Sequence, residues 1–250
     1  MEPINYIDKN KHKFLNYLLR FIGEVFMLIV GILIALQIDN WATEKNNIQT
    51  LEKNLNYVLE DLSNNKTILN QLRQKKQTSI EACTNCIDLY KQEKTMSSEQ
   101  IIYTLVNILV TNKFENSQLG FERIRASELY ESNQFLTVRD KVREYDNALA
   151  DLRHTEDFIN MYITSLSLEM SKNGALFSVF EYIRMAEGTA KYKAPYPEIT
   201  LKGILDNNKP LEAVMLKYEL DAPTLISRYN TILKTGEELE KIIQKYQDEN

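Results

Sequence analysis

Ile22-Gly-Glu-Val-Phe-Met-Leu-Ile-Val-Gly-Ile-Leu-Ile-Ala-Leu-Gln-Ile38 is the stretch on which the reading of this chain turns. Only Glu24 and Gln37 interrupt its apolar character, and it holds no proline. With Phe21 in front and the residues up to Trp41 behind, it matches the ~20 residues that a helix needs to cross a bilayer at about 1.5 Å each. The expectation is a transmembrane helix over residues 21–41. A cleaved signal peptide is the competing reading. Its apolar core would span only about 7–15 residues and end on a small-x-small site. Here the run is longer and ends Leu36-Gln-Ile-Asp-Asn-Trp41, with no such site. Trp41 suits a membrane–water interface, where an indole places its ring in one medium and its N–H in the other.

The flanks set an orientation. Lys9, Lys11, Lys13 and Arg20 precede the span, whereas Lys45 and Lys53 beyond it are mixed with Asp39, Glu44 and Glu52. Positive charge is retained in the cytoplasm. Residues 1–20 are therefore expected as a cytoplasmic tail and 42–250 as one exported, periplasmic domain of a single-pass inner-membrane protein. Without the tail and Glu24, the chain carries 26 basic against 32 acidic residues. An acidic body without basic clusters is a poor match for nucleic acid.

Glycine and proline are scarce, at 7 and 5 of 250 residues, which suits long helices with short connections. Three segments carry heptad spacing. Ile48, Leu51, Leu55, Val58, Leu62, Asn65, Leu69 and Leu72 alternate by three and four. So do Phe135, Val138, Val142, Tyr145, Leu149, Leu152, Glu156, Ile159, Ile163, Leu166 and Met170. The third series is Leu225, Tyr229, Ile232, Gly236, Leu239, Ile243 and Tyr246. This spacing keeps an apolar seam on one helix face, so that helices pack at about 20° over many turns. Coiled-coil self-association is one outcome; the expected one is an antiparallel bundle of the three segments, because the chain folds back after each. The fold class is all-α: an N-terminal transmembrane helix running on as a stalk, to about Gln92, into a helical bundle.

Local signals mark the breaks. Ser97-x-x-Gln100 resembles a capping box, Lys113 to Gly120 reads as a loop, and Asn173-Gly174 closes the second long helix. Gly188 to Pro197, with Pro195, is the least regular stretch. Pro210 and Pro223 each fit a first helical turn, with Asn208 and Asp221 as caps. Asn65 and Glu156 are polar residues at seam positions; the expectation is that both lie at a bundle edge and reach water, the alternative being buried groups that fix register.

Candidate functional residues are few. Gly23, Met27, Gly31 and Ala35 share one face of the span, where small residues permit close approach of another helix. Glu24 is the one ionisable group in the span, a functional suspect by default, yet it sits near the boundary, four residues after Arg20, at pairing distance. Cys83-Thr-Asn-Cys86 is read first as small core-facing thiols or an incidental disulfide. A redox couple would want a thioredoxin-like context and a metal two further ligands, and Ile87 excludes haem attachment. No HExxH, phosphate loop, GxSxG elbow or EF-hand pattern occurs, so no enzyme, metal or cofactor is expected. His154, near Glu156 and Asp157, reads as part of a solvated face. Tyrosines such as Tyr57, Tyr90, Tyr130, Tyr145, Tyr182, Tyr218 and Tyr246 read as core-edge packing.

The segment Ile22 to Trp41 resembles the N-terminal signature of a family of single-pass proteins found mainly in Bacteroidota, a domain of unknown function. Gly120-Phe-Glu-Arg-Ile-Arg-Ala-Ser-Glu-Leu129 and Leu136-Thr-Val-Arg-Asp-Lys-Val-Arg-Glu-Tyr145 are a second similar stretch, with Ala126-Ser127-Glu128 where relatives carry a Ser-Ser-Gly-like element. The resemblance implies an inner-membrane location and a helical exported domain; it supplies no catalytic residue. The expected function is a membrane-tethered scaffold whose bundle meets itself or an inner-membrane or periplasmic protein. One alternative is an accessory subunit of a proton- or ion-coupled complex using Glu24. Another is a periplasmic ligand-sensing or dithiol redox module.

Overall fold

The computed structural model describes residues 5–172, 174–189, 201–206 and 208–249. It is all-α, and no strand occurs among the described residues. The first helix, α1 (Asn5–Lys91), is continuous for 87 residues, or about 130 Å at 1.5 Å per residue. Nothing after Gly31 breaks it, since neither glycine nor proline follows before Lys91. Short α2 (Ser98–Leu109) and α3 (Leu119–Arg125) follow, joined by an extended strap over residues 110–118. After two single 3-10 turns, α4 (Leu136–Lys172) runs parallel to α1. The helices α5 (Ala175–Ala186) and α6 (Leu201–Leu205) lead into α7 (Lys209–Glu249), which returns antiparallel to both.

The register of that return is visible in side-chain bonds: Gln247 reaches Asn56, Lys66 meets Glu237, and Arg73 bonds Asn230 across α1 and α7. On the other side Lys141 pairs with Glu238 and Arg228 with Asp151. Helix α7 thus packs along both α1 and α4, while α2, the strap and α3 occupy the remaining quadrant between them. The heptads pack against each other within one chain, as the alternation predicts. All eleven seam positions from Phe135 to Met170 are buried, and in α1 the seam is buried from Leu51 onward, with Ile48 exposed.

Caps follow the expected chemistry at three of four places. Ser97 and Gln100 form a reciprocal capping box at α2. Gly174, at φ 81°, terminates the turn after α4 as only glycine does freely; its expected companion Asn173 lies outside the described residues. The Asn208 carboxamide oxygen accepts from the Leu211 N–H at 3.2 Å, with Pro210 in the first turn. Pro223 departs from expectation. It opens no helix but sits inside α7, and Asp221 pairs with Lys217 instead of capping. The seam runs unbroken through Leu211, Met215, Tyr218, Ala222 and Leu225, all buried, so packing outweighs the cost of an interior proline, about 3 kcal/mol. Pro223 lies on the exposed face of α7. Gly188 has φ 68°; residues 190–200, with Pro195 and Pro197, lie outside the described residues.

Candidate functional site

The sequence candidates fall at two distant places on one helix. Glu24 and Cys83 are 59 positions apart in α1, about 90 Å along its axis. One helix, near the N-terminus, is long and apolar enough to cross a membrane, and its apolar window is wholly uncovered by the protein. From Leu18 to Thr50 the residues are exposed, except half-buried Val30 and Asn47. Arg20 Nε donates to Glu24 Oε1 at 3.3 Å, the i,i+4 pair anticipated from spacing. A side chain added at Gly23 or Gly31 would meet nothing within 4 Å. Gly31 and Ala35 precede Leu51 by 20 and 16 residues, which at 3.6 per turn turns them about 200° and 160° from the bundle seam. Gly31 and Ala35 therefore point away from the side that carries the bundle, whereas Gly23, 28 residues before Leu51, is turned only about 80° from the seam.

Cys83 and Cys86 are free and fully buried. Burial pushes both thiols up to about 12, with the Cys86 neighbour adding to the effect at Cys83. Cys83 Sγ donates to the Met215 carbonyl of α7 at 3.5 Å. Reactive cysteines sit exposed in electropositive surroundings with lowered pKa values; these are the opposite. They are core residues that continue the α1 seam.

Asn65 and Glu156 correct the sequence expectation: neither reaches water, at 0% and 1% exposure. The strap supplies their partners. Asn65 exchanges two bonds with the Ser117 backbone, accepting from N–H at 2.7 Å and donating to C=O at 3.0 Å, and also donates to Tyr145 Oη at 3.3 Å. One turn earlier, buried Asp61 accepts from the Ser117 hydroxyl and from the Gly120 and Phe121 N–H groups at 2.6 and 3.4 Å. A carboxylate at the first amides of α3 satisfies donors that a helix start leaves unpaired. Gly120 is demanded by this docking: a Cβ there would lie 2.3 Å from the Tyr57 carbonyl carbon. Glu156 accepts from the Phe114 N–H at 3.0 Å and from Tyr229 Oη at 3.1 Å.

Lys76 is the residue that sequence reading missed. The seam of α1 does not stop at Leu72 but continues by fours and threes through Lys76, Ser79, Cys83 and Cys86, all buried. Lys76 is 1% exposed; its ammonium has Tyr218 Oη at 3.4 Å, and that hydroxyl lies 2.7 Å from Ser79 Oγ. Burial pulls Lys76 down to about 8, offset in part by Glu156. Burial likewise raises Glu156, against the Phe114 and Tyr229 bonds that favour its anion. Tyr145 and Tyr218 are fully buried with bonded hydroxyls, so they are core residues and not core-edge ones.

These groups serve the backbone of the strap and each other. His154 is exposed on α4 while Glu156 is buried, so the two share no site. No group of three or more potential metal ligands occurs among the described residues. Comparison with protein-family models, curated proteins and solved structures finds no match.

Proposed function

We propose that this protein is a single-pass, membrane-anchored scaffold, with residues 1–20 in the cytoplasm and the bundle exported to the periplasmic side of the inner membrane. The observation that carries the reading is the two-part use of α1. Its apolar first part is uncovered over the whole span, whereas its seam from Leu51 onward is buried in the bundle. Apolar surface of that extent is stable in lipid and not in water. The resemblance of Ile22–Trp41 to the Bacteroidota anchor signature supports the inner-membrane placement. The face holding Gly31 and Ala35 is free for a second membrane helix, either another copy or a different protein, and its partner would not collide with the bundle.

The ion-coupled alternative leans on Glu24, whose carboxylate is already engaged by Arg20. The redox alternative leans on thiols that burial makes poor nucleophiles. Both are weaker than the scaffold reading. Protease added to intact spheroplasts should digest the bundle, and in-membrane crosslinking from Gly31→Cys should trap a dimer or a co-purifying protein. A protected C-terminal half, or a strictly monomeric protein with no companion, would overturn the proposal.

A further inference from the structure

The buried seam of α1 has a counterpart on the opposite side of the helix. Asn64, Thr67, Gln71, Gln74 and Thr78 alternate by three and four, and all five are exposed. Thr67 and Gln74, 16 and 23 residues after Leu51, lie about 160° and 140° around the helix from it. That is the same side as Gly31 and Ala35. The residue types set this line apart. Over the same stretch, whose register the Asn65–Tyr145 bond sets, α4 shows solvent Glu144, Asp151, Arg153 and Asp157. The line on α1 carries no charge and no large apolar group. Of the exposed cations in this part of α1, Lys66 and Arg73 reach across to Glu237 and Asn230 of α7, and Lys75 sits on the flank of the line.

Two copies anchored in one membrane stand parallel and at one height, because α1 is continuous from its apolar segment into the bundle. A two-fold axis between them brings each residue of the facing helices opposite itself. A charge would then meet its like. A carboxamide or a hydroxyl both donates and accepts, so it complements its own copy. We propose that a second copy of this chain docks along the line from Asn64 to Thr78, with the two α1 helices side by side and the bundles pointing outward. Glu60 and Glu81, exposed and next in the alternation on either side, would each face its like. The contact is therefore confined to about 21 Å of helix between them. It rests on the membrane-anchored reading, since a polar face without apolar area associates only where anchoring raises the effective concentration.

The test uses the full chain in vesicles of a zwitterionic lipid at low salt, in a Cys83→Ala/Cys86→Ala background with one reporter cysteine. Gln71→Cys lies on the line. Thr231→Cys, exposed on α7 at the height that the Arg73–Asn230 bond sets, is the control for random collision. A short bismaleimide should capture Gln71→Cys dimers well ahead of Thr231→Cys dimers. Adding Thr67→Glu/Gln74→Glu puts two like charges across the axis and should lower capture at Gln71→Cys about fivefold. Thr67→Lys/Gln74→Lys should do the same, and vesicles holding both charge variants should regain capture as mixed dimers. Positions 67 and 74 are exposed, so helix content by circular dichroism should match wild type. Flotation with the vesicles scores the anchor separately. A chain that floats but captures no more at Gln71→Cys than at Thr231→Cys has a merely solvated face there, which overturns the pairing and leaves the anchor standing. A chain that does not float overturns both. Equal capture in the charge variants and the parent, or adducts in native membranes with a different protein only, would also overturn the pairing.

Discussion

Replacing Lys76 by methionine should stabilise the bundle. Lys76 is 1% exposed; its ammonium has one hydroxyl at 3.4 Å and the Tyr218 ring at 5.6 Å, and it belongs to none of the ion pairs among the described residues. Its pKa falls from 10.5 to about 8, chiefly through desolvation; at 1.36 kcal/mol per unit this is a cost of about 3 kcal/mol. Methionine has similar length and no charge, so it recovers most of that cost. It loses a weak hydroxyl contact of about 1 kcal/mol and the approach of the ammonium to the Tyr218 ring, and it removes one of two cations acting on Glu156, a loss limited because Glu156 keeps Lys113 and its Phe114 and Tyr229 bonds. The net expectation is a gain of about 1–2 kcal/mol at pH 7, or roughly 3–6 °C in Tm for a domain of this size. The pH dependence provides an independent check. A lysine whose folded pKa is depressed carries its full penalty below the folded value, and the penalty disappears as pH rises toward the unfolded value. Wild type should therefore gain about 2 kcal/mol from this group between pH 7 and 9.5, and Lys76→Met should lack that rise. Circular dichroism melts at 222 nm of both proteins in detergent across this pH range would measure it. A Lys76→Met protein less stable than wild type, or an identical alkaline slope in both, would refute the reasoning.

Further outcomes follow from the strap and the thiols. Gly120→Ala puts a Cβ 2.3 Å from the Tyr57 backbone; α3 must leave α1, and hydrogen exchange over residues 117–125 should accelerate with a loss of about 3 kcal/mol. Asp61→Ala orphans the Ser117 hydroxyl and the Gly120 and Phe121 amides, with a similar loss of about 3 kcal/mol in urea unfolding. A change under 1 kcal/mol in that experiment would contradict the assigned role of Asp61. Cys83 and Cys86, buried with pKa values near 12, should resist maleimide at pH 7.5 until the bundle unfolds; quantitative labelling of the native protein within minutes would count against their placement.

The long elements were readable because heptad alternation depends only on spacing. Every seam residue from Phe135 to Met170 is buried, and the unbroken α1 ends within one residue of the expected Gln92. The polar core was not readable, for a physical reason. Asn65 and Glu156 looked like edge residues because nothing nearby in sequence could satisfy them. Their partners come from the strap, 52 and 42 residues away. Lys76 did leave a signal, since it keeps the three-four alternation that joins Leu72 to Cys83. A charge at a seam position simply argues against burial unless the surrounding tyrosines are already placed. Pro223 illustrates the reverse case, a strong local breaker overridden by a seam that continues on both sides of it.

The central claim is that one rigid helix passes from the apolar segment into the bundle. Spin labels at Ile22 and Lys53, both exposed, in a Cys83→Ala/Cys86→Ala background reconstituted in nanodiscs, bracket the span and the junction. Thirty-one residues of continuous helix should give a narrow electron–electron distance distribution centred near 46 Å. A broad distribution, or one centred below about 35 Å, would mean that α1 is broken between its apolar segment and the bundle.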